Sequence, residues 1–214
     1  MGTEKHDHVQ VGGTWLPAEA KAGDYQNQGR QVVAIGENDE EFSNLKNALV
    51  CAVNKVAGTP LEGTTGAALV NTDPALYIEY VGSTLQIVLR AIDIIITNTP
   101  GALPRFKVCW DSTRRRASGG VENDNLVRGI TSGQGSSLVK VWESQNANHV
   151  VVSAGAGNPV ANGACAAVAG TKLSLIVPGQ LILAPVVGHC IMVYAFAGTT
   201  GPQFDYTLRW AERA

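Results

Sequence analysis

The sequence predicts an all-β sandwich, and three observations predict it. Short β-rich runs recur along the 214 residues, separated by segments rich in the 24 glycines and 9 prolines, an alternation typical of sandwiches and barrels. Apolar residues make up 45% of the chain and charged residues 16%, which allows a substantial core and argues against disorder. The last run, Gln203–Trp210, alternates: Phe204, Tyr206, Leu208 and Trp210 point one way, Asp205, Thr207 and Arg209 the other, as in a half-buried strand.

In order along the chain, residues 1–30 are polar and Gly-rich without a period, which predicts an extended N-terminal arm ahead of one domain over 31–214. His6-Asp7-His8 is a weak metal motif, two histidines and one carboxylate on an arm. Gln31–Ile35 is a short strand. Asn38 is a plausible helix N-cap, with Glu41 three residues on. Phe42, Leu45, Leu49, Ala52, Val53 and Val56 recur at helical spacing, so one helix is expected here, ended by Gly58 and Pro60, with Leu45 and Leu49 buried. Residues 57–74 read as a loop.

The stretch from Leu76 to Asp111 organises the domain. Leu76–Ser83, Leu85–Thr97 and Arg105–Asp111 are β-rich, and Asn98-Thr99-Pro100-Gly101 punctuates them as a turn, which predicts a central hairpin. Leu85–Ile96 is apolar at both odd and even positions, so both of its faces are expected to be covered. Asp93 interrupts this run; it must be paired if buried, with Arg90 or across a subunit boundary, or else sit at a bulge or edge. Residues 112–135 form a long loop. Ser137–Glu143 and His149–Ser153 are strands, and 155–170 is a loop of small residues. Thr171–Val177, Leu181–Val187, Cys190–Ala197 and Gln203–Trp210 complete about eight strands, the number of a jelly roll.

Little in the chain points to catalysis or to a cofactor. No phosphate-binding loop, dinucleotide fingerprint or nucleophile elbow is present. Gly133-Gln134-Gly135 lacks the Lys and Ser/Thr that a phosphate loop needs. His149 and His189 stand at strand starts, where either can serve as a base but a turn histidine is the plainer reading. Cys51, Cys109, Cys165 and Cys190 form no C-x-x-C pair and read as reduced, structural thiols. The polar N-terminus shows no signal-peptide pattern, and no apolar run reaches membrane-spanning length. A net charge of −2 argues against a self-contained nucleic-acid reader. The one dense basic cluster is Arg114-Arg115-Arg116, a solvated loop, a subunit-joint contact or an RNA contact.

Five segments, in order, carry a resemblance. They are Gly36-Glu37 with Ser43–Leu49, Leu76–Leu85, Phe106–Asp111, Leu175–Gly179, and Val193–Gly198 followed by Phe204-Asp205-Tyr206. Together they resemble the jelly-roll capsid proteins of picorna-like positive-strand RNA viruses, of the dicistrovirus-like and marnavirus-like kinds, over roughly residues 30–210. The chain departs from that pattern at Val81, Ser112 and Gly179, and Pro202-Gln203 precede Phe204 where some relatives carry a cleavage-linked acidic pair. The resemblance implies an eight-stranded antiparallel jelly roll acting as a non-enzymatic capsid subunit. Its partners would be other copies or homologous subunits and, weakly, the enclosed RNA, in the virion and in the host cytoplasm during assembly. It also implies that the loops near Arg114–Arg116 gather at a symmetry axis, which favours the joint over an RNA contact. The alternative from a different class is a cellular sandwich binding a ligand such as a glycan, for which Trp15, Trp110, Trp142 or Trp210 would have to offer an exposed platform.

Overall fold

A computed structural model describes residues 8–11, 14–17, 48–128, 138–153, 155, 157–176, 181–183 and 187–213. The chain divides into two compact units, Met1–Asn47 and Ala48–Ala214. In the first, β1 (His8–Val11) and β2 (Thr14–Pro17) pair antiparallel, Val11 opposite Thr14. The expected strand at 31–35, the start of the expected helix with Leu45, and Gly133-Gln134-Gly135 lie outside the described residues.

The second unit is all-β, with no helix among the described residues. Its strands are β3 (Ala48–Val53), β4 (Leu61–Glu62), β5 (Thr64–Thr65), β6 (Leu76–Tyr80), β7 (Gln86–Ile96), β8 (Arg105–Asp111), β9 (Arg116–Ser118), β10 (Val121–Asn123), β11 (Val127–Arg128), β12 (Val139–Glu143), β13 (Val151–Val152), β14 (Asn158–Ala164), β15 (Lys172–Ser174), β16 (Leu181–Leu183), β17 (Cys190–Ala197) and β18 (Gln203–Arg213). Sheet I has the order β11-β3-β18-β7-β15, with β16 also on β7 and β4 on β18; sheet II has the order β10-β12-β6-β17-β8-β14, with β5 on β17. Every pairing is antiparallel except β5 with β17.

The two sheets share one core. Sheet I contributes Val50, Ile92, Ile94, Phe204, Leu208 and Trp210, and sheet II contributes Leu76, Ile78, Phe106, Val108, Val141 and Val193, all 2% exposed or less. Phe106 and Phe204 meet edge to face at 5.3 Å between centroids. Each such side chain contributes about 1.5–3 kcal/mol on leaving water.

Four expectations need correction. Leu49–Val53 is strand, not helix: Val50 and Ala52 are buried while Val53 is half exposed, a period of two that fits the β-branched residues and the free side of β18. The stretch Leu76–Asp111 is not a hairpin, because β7 lies in sheet I and β8 in sheet II, so the Pro-Gly turn crosses between sheets. The small-residue loop at 155–170 contains β14, an edge strand of sheet II; its Ala, Asn and Gly side chains carry almost no apolar signal. The segments read as loops at 57–74 and 112–135 contain short strands, β4 and β5 in the first and β9, β10 and β11 in the second.

The two-sided apolar character of β7 also has a local cause. Ala91 faces Arg209 and Leu89 faces Trp210, so Arg90 is an extra residue on β7, a bulge. Inward positions are therefore odd before it (Ile87, Leu89) and even after it (Ile92, Ile94, Ile96). The strands buried on both faces throughout are β6 and, except at Phe196, β17. Their outer faces bear a second cluster, Tyr77, Cys109, Val150, Val152, Cys190, Met192 and Tyr194, to which the chain's own excursion after β8 contributes Val150 and Val152.

Leu208→Ala should lower stability by about 2–5 kcal/mol, and the half-buried Leu49→Ala by about 1 kcal/mol or less. Urea unfolding of both variants checks this; equal losses would mean that β3 turns its other face to the core.

Candidate functional site

The arginine cluster sits on a turn that leaves the end of β8. Asp111, the last residue of that strand, is buried. Its Oδ1 accepts from the Thr113 amide (2.9 Å) and hydroxyl (2.8 Å), which turns the chain back on itself. Its Oδ2 accepts from Arg115 Nε (2.8 Å) and Nη2 (2.6 Å). Burial works to raise the Asp111 pKa, but the Arg115 and Thr113 hydrogen bonds outweigh it and hold the carboxyl below its usual range.

Sheet II clamps the same turn from beneath. Tyr77 Oη accepts from the backbone amides of Arg115 (3.0 Å) and Arg116 (3.2 Å), and Cys190 Sγ donates to Thr113 O (3.3 Å). Burial pushes the Cys190 thiol up to about 11, so it stays protonated at neutral pH. Gly188 passes so close that a Cβ there would lie 3.3 Å from the Arg114 amide, and its φ of +96° suits glycine.

The three guanidinium groups then part. Arg114 pairs with Glu79 of β6 at 3.2 Å and is 59% exposed. Arg115 is committed to Asp111. Arg116 stacks on Trp142 of β12, 3.3 Å from the ring centroid, and its Nη2 donates to Gly119 O at 2.7 Å. Three cations stand against two carboxylates, so the turn presents one net positive charge and its arginines hold their own fold together.

The other singled-out residues are placed as follows. Asp93 is half buried and pairs with Arg209 of β18 at 2.6 Å, within the chain; two groups this exposed contribute little. His149 Nδ1 lies 3.9 Å from Asp73 Oδ1, and His189 is buried edge to face with Trp110 at 5.7 Å. The four cysteines are free thiols. His8 lies in β1, while His6 and Asp7 are outside the described residues.

Sequence reasoning missed a polar hub. Glu143 is 0% exposed. Its Oε1 accepts from Asn123 Nδ2 (2.6 Å) and Tyr206 Oη (2.6 Å), its Oε2 from Gln145 Nε2 (2.5 Å), and the Lys55 amide reaches both oxygens (3.0 and 3.1 Å). The Glu143 pKa is raised by burial and partly drawn back by Tyr206, the Lys55 amide and Asn123. The hub ties the end of β3 and β18 of sheet I to β10 and β12 of sheet II. Its signal was readable: Glu143 follows Val139 and Val141 on the buried phase of the strand, where an unpaired carboxylate is costly.

Opposite the arginine turn, three loops close the other end of the sandwich. Thr97 N donates to Gln203 O (2.9 Å), Asn98 Nδ2 to Gly201 O (3.0 Å), Cys165 N to Pro104 O (3.3 Å) and Gly170 N to Ile96 O (2.7 Å). Residues 97–104, 165–171 and 198–202 contain no Asp, Glu, Lys or Arg. Leu103 and Val168 project from them, 52% and 58% exposed.

No protein-family model, no curated protein and no solved structure matches the chain.

Asp111 sets a pH prediction. Its folded pKa is depressed, so its contribution is present above the unfolded value of about 3.9 and is lost as pH falls through the folded one. Asp111→Asn should lower the urea midpoint at pH 7, and the gap to the wild type should close as pH approaches about 2. A gap constant across that range would mean that the Arg115–Asp111 pair contributes nothing to stability.

Proposed function

We propose that this chain is a structural subunit of a non-enveloped icosahedral shell, assembling with copies of itself or homologous subunits around an RNA genome. It acts by burying surface, without catalysis, and its location is the virion and, during assembly, the host cytoplasm. The strand order supports the jelly-roll part of this reading. Taking β3, β6, β7, β8, β14, β15 with β16, β17 and β18 as one to eight, strand one pairs with eight, two with seven, three with six and four with five. Strand eight also pairs with three and seven with four, which completes each sheet. A folded ribbon wrapped into two sheets has this order; β4, β5 and β9–β13 are additions to it. Three of the five resemblance segments overlap these strands: Leu76–Leu85 covers β6, Phe106–Asp111 lies in β8, and Val193–Gly198 with Phe204-Asp205-Tyr206 lies in β17 and β18.

The observation that carries assembly is the uncharged loop end. Residues that lie next to a rotation axis meet their own copies, so a charge placed there faces a like charge. Leu103, Val168 and the surrounding Ala, Gly, Thr and Pro meet themselves without that cost. Among the tryptophans whose side chains are described, none offers the glycan-binding alternative an open platform: Trp210 is buried, Trp142 lies beneath Arg116, and Trp110 packs on the shared core.

Negative-stain microscopy and sedimentation of concentrated protein test the reading, with closed particles as the expected result and a monomer under all ionic strengths as the result against it. Leu103→Glu and Val168→Glu should leave the far-UV spectrum and melting unchanged yet cut particle yield by about tenfold or more, the factor carried by each 1.4 kcal/mol of interface.

A further inference from the structure

The outer face of sheet II is covered only in part. Strand alternation places Arg105, Lys107, Cys109 and Asp111 of β8 on that face, beside Phe196, Tyr194, Met192 and Cys190 of β17. The rows at Cys109 and Asp111 lie under the second apolar cluster and the arginine turn. Tyr194, across from Lys107, is still within that cluster, but alongside Lys107 and at the row of Arg105 and Phe196 a groove opens. Its wider part, about 430 Å³, is lined by Arg105, Lys107, Phe196 and Asn162 among others. It continues past Arg105 and Phe196 into a smaller hollow of about 110 Å³ beside Ala67 and Leu103.

Three features of this groove point to one kind of ligand. No carboxylate lines either part. Arg105 and Lys107 have no ion-pair partner among the described residues, whereas Lys55, Arg114, Arg115, Lys140 and Arg209 each have one. Two cations two residues apart on one strand repel each other until an anion arrives. The register sets Phe196 directly across from Arg105, close enough for the two side chains to share one ligand, and Phe196 is the one residue of β17 that is not fully buried.

We propose that this groove binds single-stranded nucleic acid, with phosphates at Arg105 and Lys107 and a base stacked on Phe196. A cationic track beside an aromatic face is the combination that binds single strands without reading sequence. An acidic glycan shares the negative charge, but its ring hydroxyls need neutral polar partners, and Asn162 is the only uncharged polar side chain lining the groove. The inference stands apart from shell assembly, because the groove is complete within one chain.

The test is fluorescence anisotropy of unassembled protein with a labelled ten-nucleotide oligouridylate, titrated from low to moderate salt. The wild type should bind weakly, with log affinity falling against log salt at a slope of about −1.4, the value for two phosphates neutralised on a single strand. Arg105→Gln with Lys107→Gln should abolish that slope and weaken low-salt binding by about tenfold or more. Phe196→Leu should weaken binding at every salt concentration with the slope unchanged, and Phe196→Tyr should restore it. Arg114→Gln, outside the groove, should bind as the wild type does. Absence of wild-type binding at low salt, unchanged binding by the groove variants, or tighter Phe196-dependent binding of a heparin fragment than of the oligonucleotide would overturn the proposal. Particle formation by the same variants is scored separately, so failure of the groove and failure of assembly are told apart.

Discussion

β17 and β18 occupy the centres of the two sheets, and the rest of the unit depends on that. β18 hydrogen-bonds to β3 on one side and β7 on the other, and β17 stands between β6 and β8. The last strands of the chain thus complete backbone pairing for strands formed far earlier, more than a hundred residues earlier for β3, β6 and β7. A buried strand with one open side would leave a row of unsatisfied amides and carbonyls, so neither sheet is complete until the C-terminal segment is in place. Such long-range pairing is entropically costly to bring together and marks a slow-folding topology.

The two faces of sheet II show how one excursion serves several purposes. The inner face of β6 and β17 packs into the shared core, and the outer face receives Val150 and Val152 from the segment that follows β12. The turn after β8 is anchored on the same face through Tyr77, Cys190 and Glu79. Glu143 fastens the margin of the sandwich, since its five hydrogen-bond contacts come from both sheets. Removing one partner there would strand a buried charge, so the hub specifies how the sheets are set as much as it stabilises them.

Charge is distributed unevenly along the chain. From Ser144 to Phe204 the only Asp, Glu, Lys or Arg is Lys172. That span supplies β14, β17 and two of the three loops at the uncharged end. The basic residues near Trp110 are mostly spent on internal pairs, while Arg105 and Lys107, at the other end of the same strand, face an open groove. A cluster conspicuous in the sequence is therefore largely structural here, and two scattered cations, Arg105 and Lys107, are the ones that line the open groove.

The sequence alone determined that the chain is β-rich, because period two in Phe204–Trp210 and the Gly/Pro punctuation are local properties. It also located β6, β8, β12, β17 and β18 closely. It failed where the deciding partner lies far away. Leu49–Val53 has apolar residues compatible with either period, and only pairing with β18 selects strand. β14 has no apolar signature because it is an edge strand of small residues held by its backbone. The Arg90 bulge, the assignment of β7 and β8 to opposite sheets, and the pairing of each arginine are set by register and three-dimensional proximity. Alternation reports which residues share a face; which strand lies beside which, and hence which charges are neutralised, is decided by tertiary hydrogen bonding and packing.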